Sequence, residues 1–457
     1  MVSFLLSVLS GSLLSFSFAP INAWWFAPIA IIIHMFAINR TQRKAFSAFV
    51  FALTFNLLLL HWTSIYVGSI PWVILATGLS VLYIPLALVD RYGMSAYPFI
   101  FLFLEEIRNL FPFGGFGWGR VAYSQADAPY VQLLRLGGTS TLTAGVLILA
   151  LFGFHLFNRN LRLFLLLPFA ILCVPPVIAQ DSTVSALLIQ GNVPQYGLDF
   201  NARAKEVFFN HVKETTKALE THPKVDFIVW PENAVDVDPF RNVDVRQSLD
   251  SFKQNLIIGA IVTENYNILN ASILWSNDKR DVYVKQHLTP FGEYIPIRSL
   301  AERISPFVSQ VQDFYPGNQS KIFTIGKAKI APVICYELLD DQLLEKAGKN
   351  SNLIIVQTNS ATFGKSPESA QQLSITRIRA IEHSRNILSV STTGYSAVID
   401  YNGSILSKTQ MGTADHLYAE VGLINQRSLR DKLGTWATII SLIWLLAISR
   451  RGYRYRR

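Results

Sequence analysis

Three side chains of the kinds that carry acyl transfer stand directly after apolar runs. Cys335 closes the run in Lys329-Ile-Ala-Pro-Val-Ile-Cys-Tyr-Glu337, and Glu232 follows Phe227-Ile-Val-Trp230 in Trp230-Pro-Glu-Asn-Ala234. Lys285 follows Val282-Tyr-Val284 and opens Lys285-Gln-His-Leu-Thr-Pro-Phe-Gly-Glu293. Each run reads as a strand, so all three groups are expected at strand tips. Thiolate is the attacking species, and a free thiol with a pKa of ~8.5 is mostly protonated at neutral pH. Glu232 is therefore expected to take the thiol proton and later return one to the leaving group, while Lys285 stabilises the thiolate. Lys285 and the Tyr336 backbone N–H are expected to hold the oxyanion of the tetrahedral intermediate. Taken singly, a cysteine at a strand end is ordinarily a small buried hydrophobe, and a loop Glu or Lys is ordinarily solvated. Three such motifs punctuated by Pro and Gly point instead to chemistry through a Cys335 thioester.

With these motifs the chain resembles the nitrilase-like carbon-nitrogen hydrolases and, within them, the bacterial apolipoprotein N-acyltransferases. The resemblance rests on Trp230-Pro-Glu232, on Lys285 with His287-Leu288 and Pro290-Phe-Gly-Glu293, and on Ile334-Cys-Tyr-Glu337. Thr358-Asn-Ser-Ala-Thr-Phe-Gly364, Arg377-Ile-Arg-Ala-Ile-Glu-His-Ser-Arg385, Thr393-Gly-Tyr-Ser-Ala397 and Phe113-Gly-Gly-Phe-Gly-Trp-Gly119 extend it over nearly the whole chain. It implies a Glu232-Lys285-Cys335 triad working by a ping-pong route, with Glu293 orienting Lys285 and holding its charge. Tyr336 and Glu337 would shape the oxyanion site and support its loop. Phe200, Asn359 and Phe363 are implied as substrate contacts, whereas Asn270 reads as a structural amide. The implied donor is a membrane phospholipid and the implied acceptor the α-amine of a diacylglyceryl-cysteine lipoprotein. Neither a cofactor nor a metal is implied.

Two stretches depart from the family pattern. Gln190-Gly-Asn-Val-Pro-Gln195 is followed by Tyr-Gly-Leu-Asp-Phe200 where relatives usually carry Lys-Trp, so Phe200 is expected to stand in as the aromatic that meets acyl chains. Asn359-Ser-Ala-Thr-Phe-Gly364 replaces Asn-Asp-Ala-Trp-Phe-Gly and lacks its Trp. Neither change touches the triad.

The elements that must position these groups fall into two kinds. Hydrophobic residues make up 51% of 457, above the ~45–50% apolar usage (Gly included) of soluble domains, and the mean hydropathy is +0.31. Apolar spans are expected near 3–18, 23–39, 46–62, 71–89, 94–111, 138–157 and 163–179, with a final one near 433–449. The expected organisation is a transmembrane bundle over 1–180, a catalytic domain over 181–430, and a last helix with a basic tail over 431–457. Arg40, Arg43, Lys44, Arg91, Arg159, Arg162 and the arginines after Ser449 occupy alternate loops, while Pro20 to Asn22 and Thr63 to Ser69 hold no Lys or Arg. The positive-inside rule then puts the amino terminus in the cytoplasm and the polar block outside a bacterial cytoplasmic membrane. The net charge of +9 is accordingly a topology signal, not a nucleic-acid footprint.

Of the two cysteines, Cys173 lies in the seventh expected span, which leaves Cys335 as a free thiol. No CxxC, HExxH or His/Cys cluster suggests a metal, and no phosphate-binding glycine motif is present. In the charged segments, Glu105, Glu106 and Arg108 are expected to pair, to contact a headgroup, or simply to end the fifth span. Arg377, Arg379, Glu382 and Arg385 are expected to form an ion-paired helix.

Strands are expected over 184–190, 227–230, 256–262, 272–275, 330–335, 353–358 and 387–392, with helices over 201–222, 342–347 and 369–384. This alternation favours layered α/β, and the resemblance sharpens it to an αββα sandwich. Two other readings stand beside a monomeric N-acyltransferase. A membrane-tethered amidase would share the triad and use water as acceptor. A transporter or receptor with an extracellular binding domain would need none of the three groups.

Overall fold

The computed structural model of the chain describes residues 1–65, 68–157, 177–193, 205–304 and 312–454. Two compact units emerge, Met1–Pro176 with Ser428–Arg457, and Val177–Arg427.

The first unit is helical. It runs through α1 (Val2–Phe16), α2 (Phe26–Asn39), α3 (Lys44–Leu59), α4 (Ser69–Val81), α5 (Val89–Tyr92), α6 (Tyr97–Leu110) and α7 (Leu133–Phe157). Among the described residues, the stretches Ser69–Tyr92 and Leu133–Phe157 are long and apolar enough to cross a membrane; α1, α2, α3 and Trp436–Ser449 are apolar but shorter. The expected span near 163–179, with Cys173, lies almost wholly outside the described residues. A helix of about 14 residues rises only ~21 Å, against a hydrocarbon layer of ~30 Å. The sequence alone had suggested longer spans. The α6 charges are not a loose helix end either. Glu106 accepts from Arg120 Nη2 at 2.6 Å and from Ser140 Oγ at 2.8 Å, while Glu105 accepts from the Val121 N–H at 2.8 Å. Arg108 donates to the Phe116 carbonyl and to the Tyr83 hydroxyl. Pairing is what allows these groups to stay buried.

The second unit carries two six-stranded sheets. The first contains β1 (Ser182–Gln190), β2 (Phe227–Val229), β3 (Asn255–Glu264), β4 (Asn267–Trp275) and β5 (Arg280–Val284). The second contains β6 (Phe323–Ile325), β7 (Ala328–Ile334), β8 (Leu353–Thr358), β9 (Ile387–Ser391), β10 (Ala397–Ile399) and β11 (Ile405–Lys408), and β12 (Asp415–Leu423) returns to the first. Strand order is β12-β1-β2-β3-β4-β5 in one and β11-β10-β9-β8-β7-β6 in the other. In each, three parallel strands (β1-β2-β3 and β7-β8-β9) are flanked by antiparallel ones.

Their Ile- and Val-rich sequences suit strands covered on both faces. One core lies between the sheets, joining Leu188, Val229, Ile257 and Tyr283 to Ile330, Ile334, Ile355 and Val390. A second fills the outer face of the first sheet against α8 (Glu206–Thr221) and α9 (Val243–Asp250), through Phe208, Ala218, Val245 and Leu249. After the short α10 (Arg298–Ile304), α11 (Asp341–Asn350) and α12 (Glu368–His383) pack on β7, β9 and β10 of the second sheet. The result is the αββα sandwich that the resemblance implies. The chain ends with α13 (Leu429–Leu433) and α14 (Trp436–Arg454), which belong to the helical unit.

Two features hold the segment after β2 in place. Gln357 Nε2 on β8 donates to the Trp230 carbonyl at 2.6 Å, and Thr392 Oγ1 donates to the Glu232 carbonyl at 3.2 Å. From the other side, Gly259 on β3 lies flush against it, since a Cβ there would fall 2.2 Å from the Pro231 oxygen and 2.6 Å from Glu232 Cα. Both contacts are backbone, so no side chain can swing away. Gly259→Ala is therefore expected to destabilise the domain by about 1–3 kcal/mol and to displace Glu232. Thermal denaturation alongside an activity assay checks this, and a variant with unaltered stability and rate would contradict it.

Candidate active site

Glu232, Lys285 and Cys335 come from three strand ends. Glu232 follows β2, Lys285 follows β5 and Cys335 follows β7. The expected strand over 330–335 stops one residue early, because Cys335 has φ of +49° and opens a 3₁₀ turn, Cys335–Leu339. A left-handed conformation is costly for a residue with a Cβ, and turns of this kind hold a side chain out at a strand tip. Asn233, just after Glu232, has φ of +54°, a conformation that asparagine tolerates well.

Lys285 is 1% exposed and its ammonium sits between two carboxylates. Nζ lies 3.2 Å from Glu232 Oε1 and 2.7 Å from Glu293 Oε2. Asn270 on β4 completes the arrangement, with Nδ2 donating to Glu232 Oε1 at 2.8 Å and to Glu293 Oε1 at 2.7 Å. Asn270 thus braces both acids, where the sequence suggested only a structural amide. A polar residue inside the apolar run Ile268-Leu-Asn-Ala-Ser-Ile273 was the signal for it. Glu293 is fixed further by the Thr289 N–H, which reaches Oε2 at 2.7 Å.

This geometry sets the titration of each group. Burial works against the Lys285 charge, but Glu232 and Glu293 outweigh it and hold the ammonium above its usual range. Burial also opposes the Glu293 charge, yet Lys285 and the hydrogen bonds bring its carboxyl below the ordinary value. Glu232 goes the other way, because burial, opposed by Lys285 and reinforced by the Glu293 charge, leaves its carboxyl raised. Two acids whose environments separate their pKa values divide the work, one holding charge and one exchanging protons. Glu232 is the member suited to exchange.

Cys335 is half-buried. Gln372 Nε2 on α12 donates to its sulfur at 3.6 Å. Burial pushes the thiol well above the ordinary cysteine value, and the Glu232 charge adds to this more than the Lys285 charge opposes it. The expected thiolate is therefore corrected to a resting thiol, because two carboxylates claim the ammonium that would have ionised it. A base able to take the proton as the sulfur attacks becomes essential.

Glu337 is fully buried and ties two loops together. Its Oε1 accepts from the Tyr283 hydroxyl at 2.7 Å and from the Gln286 and His287 N–H groups at 2.7 and 3.4 Å, and its Oε2 accepts from the Ile334 N–H at 2.7 Å. The segment carrying Lys285 is thereby bound to the turn carrying Cys335. Tyr336 is buried with its ring edge-on to His287, and His287 Nδ1 meets Asp340 Oδ2 at 3.0 Å. Asp340 also caps α11 by accepting from the Gln342 and Leu343 N–H groups.

Of the expected substrate contacts, Asn359 and Phe363 are half-buried in the segment after β8, and Phe200 lies outside the described residues. The expected ion-paired helix lies within α12 and the turn after it. Arg379 pairs with Glu382 at 2.6 Å and Asp341 at 2.8 Å, whereas Arg377 donates to the Gly403 carbonyl and Arg385 to the carbonyls of Gly348, Ser351 and Gln426. Among the described residues no group of His, Cys, Asp and Glu could hold a metal ion. The site missed by sequence reasoning is Glu368, buried at the start of α12 beside Cys335 and Glu232 in electrostatic reach.

Two family models match the chain, the apolipoprotein N-acyltransferase N-terminal domain over residues 10–152 and carbon-nitrogen hydrolase over residues 188–431. The apolipoprotein N-acyltransferases of Mycolicibacterium smegmatis and Photobacterium profundum are each 28% identical to it. Those alignments cover 96% and 99% of this chain and 82% and 96% of the two relatives. Among solved structures, an amidase from Nesterenkonia sp. is 14% identical, with 55% of this chain and 94% of that one covered and a TM-score of 0.41.

Two outcomes follow from this geometry. Because the thiol is raised, iodoacetamide should alkylate Cys335 at pH 7 more slowly than free cysteine, with the rate still climbing above pH ~8.5, the midpoint of an ordinary thiol. A rate that levels off below that pH would contradict the raised value. Glu337→Gln replaces one acceptor oxygen with a donor facing N–H groups, and should cost about 1–3 kcal/mol of domain stability, read by thermal or denaturant unfolding.

Proposed function

Because the chain belongs to the apolipoprotein N-acyltransferases of the carbon-nitrogen hydrolase superfamily, we propose that it moves a fatty acyl chain from a membrane phospholipid, through a thioester on Cys335, to the α-amine of a diacylglyceryl-cysteine at the start of an apolipoprotein. The observation that carries this reading is the buried Lys285 shared by Glu232 and Glu293 beside a free thiol.

In the first half, Glu232 takes the Cys335 proton as the sulfur attacks the ester carbonyl. The S–C bond forms, the ester C–O bond breaks, and Glu232 returns the proton to the departing lysophospholipid oxygen. Lys285 and the Tyr336 N–H stabilise the intermediate oxyanion. In the second half, the acceptor amine attacks the thioester, the N–C bond forms, the C–S bond breaks, and the thiol is restored. Glu293 keeps Lys285 charged throughout, and Glu337 keeps the two catalytic loops in register. Asn359 and Phe363 serve as substrate contacts on this reading, and Phe200, which lies outside the described residues, is the aromatic that the sequence assigns to acyl chains. No cofactor takes part.

The helical segments over 1–180 and 431–457 act as a multi-span anchor on this reading, with the domain over 181–430 on the extracytoplasmic side of a bacterial cytoplasmic membrane. The Arg- and Lys-bearing loops remain inside, and the enzyme works as a monomer. Both substrates are held in the bilayer by chains worth ~0.8 kcal/mol per buried CH₂, so an enzyme anchored at the membrane face reaches them without extracting either. Excluding water there protects the thioester from hydrolysis.

Labelled phospholipid should leave an acyl group on the wild-type protein and none on Cys335→Ala, with N-acylated lipopeptide appearing on addition of acceptor. Label retained by the alanine variant would remove Cys335 from the mechanism, and free fatty acid as sole product would make the enzyme a hydrolase.

A further inference from the structure

Glu368 opens α12 and is 2% exposed. Gln372 lies four residues on, so both stand on the same helix face. Gln372 is the residue that reaches the Cys335 sulfur, at 3.6 Å. Glu368 therefore stands one turn back on the face turned toward the thiol.

Glu368 has not been satisfied by its neighbours. Its Oε2 is buried without a hydrogen-bond partner, and so are Thr393 Oγ1 and Asn359 Nδ2. Ser360 and Thr393 are each 1% exposed. These groups come from three elements that meet at Gly394. A Cβ on Gly394 would fall 2.3 Å from Ser369 Oγ, 2.7 Å from Ser391 Oγ and 2.8 Å from Ser360 Oγ. The segments after β8 and β9 and the first turn of α12 thus converge, the Ser360 hydroxyl lies against the Glu368 carboxyl, and Thr393 and Asn359 stand on the same converging segments. Native structures leave few buried polar groups unpaired, and those that remain call for an explanation.

We propose that this cluster is the subsite for the acceptor's α-ammonium, with Glu368 removing its first proton. The inference rests on the acyl-transfer reading above. An ammonium on a peptide terminus offers three N–H groups, and one carboxylate with two hydroxyls can accept them all, leaving Asn359 Nδ2 to donate to the acceptor's first carbonyl. The acids already described are committed elsewhere, since Lys285 and Asn270 occupy Glu232 and Glu293. A second cation needs a further carboxylate. Burial pushes the Glu368 carboxyl up to about 8, against the Ser360 hydroxyl and with help from the Glu232 charge, and an ordinary α-amine titrates at ~7.7–8.0. The two groups can therefore share a proton readily.

The protons balance as follows. Glu368 releases its resting proton to water as the ammonium enters, then takes one proton from that ammonium. The freed amine attacks the Cys335 thioester, forming N–C and breaking C–S. Its second proton passes to Glu232 and on to the departing thiolate, leaving an amide and a thiol, with one proton released overall.

The test is a single-turnover chase on the full-length enzyme. Acyl-enzyme is formed from labelled phospholipid, then released at pH 7 either by a diacylglyceryl lipopeptide with a free α-amine or by hydroxylamine, which is uncharged at that pH. Glu368→Gln should slow lipopeptide release by on the order of tenfold to a hundredfold while hydroxylamine release matches wild type, and Glu368→Asp should recover part of the loss. Equal slowing with both nucleophiles, unchanged lipopeptide release, or failure of Glu368→Gln to acylate would each overturn the subsite. Wild-type enzyme that forms no acyl-enzyme would instead overturn the thioester reading itself.

Discussion

A single buried ammonium organises the catalytic domain. Lys285 is buried beside Glu232 and Asn270, themselves buried, and a lone charge in such a place would be strongly unfavourable. It persists because Glu232 and Glu293 face it and Asn270 bridges the two acids. Removing any one member leaves the others buried and uncompensated, which costs more than the group itself contributed. The set must therefore be assembled whole. β2, β4 and β5 deliver Glu232, Asn270 and Lys285 from one sheet, and the hydrogen bonds from Gln357 and Thr392 fasten the Glu232 segment to the other. Sheet-on-sheet packing and charge pairing are one constraint here, since the core between the sheets brings the two halves of the site to the same end.

That constraint also sets the state of the sulfur. A lysine beside a cysteine usually favours thiolate, but this lysine is already neutralised by two carboxylates. What remains for Cys335 is desolvation and the nearby Glu232 charge, and both favour the thiol. A raised thiol is a stronger nucleophile once ionised, and a raised Glu232 is a stronger base. The pair is poised to exchange one proton at the moment of attack, without a standing thiolate open to oxidation.

Much of this was legible in the chain because the three strand ends are written locally, as an apolar run followed by a polar tip. β7, β8 and β9 were readable for the same reason. β12 was not, because Asp415-His-Leu-Tyr-Ala-Glu-Val-Gly-Leu423 mixes polar and apolar residues. It earns its place by pairing along the whole of β1, more than two hundred residues away. Asn270 was under-read because its role depends on Glu293, a neighbour only in space. Glu368 was not singled out in the sequence, and an acidic residue in a first helical turn is ordinary, since the helix dipole alone would justify it. Only burial and an unpartnered oxygen distinguish it. The thiolate was misjudged because sequence shows which charges are present and not how they are shared.

Sharing is also what two half-reactions demand. On the proposed mechanism the same Glu232 accepts a proton from a thiol in one step and from an amine in the next, and it must be empty at the start of each. A phospholipid brings no exchangeable proton to the ester, so the thiol proton goes out with the lysophospholipid and Glu232 is emptied. The acceptor arrives as an ammonium and brings two protons that must go, more than one carboxylate can take in sequence without a pause. On the proposal above, a second buried acid, carried by a helix that Gln372 already ties to the thiol, separates the two protons by route. Glu293 cannot fill that role, because Lys285 holds it ionised. On the proposed reading, charge holding, proton exchange and amine reception thus fall to three different acids, each set apart by what surrounds it.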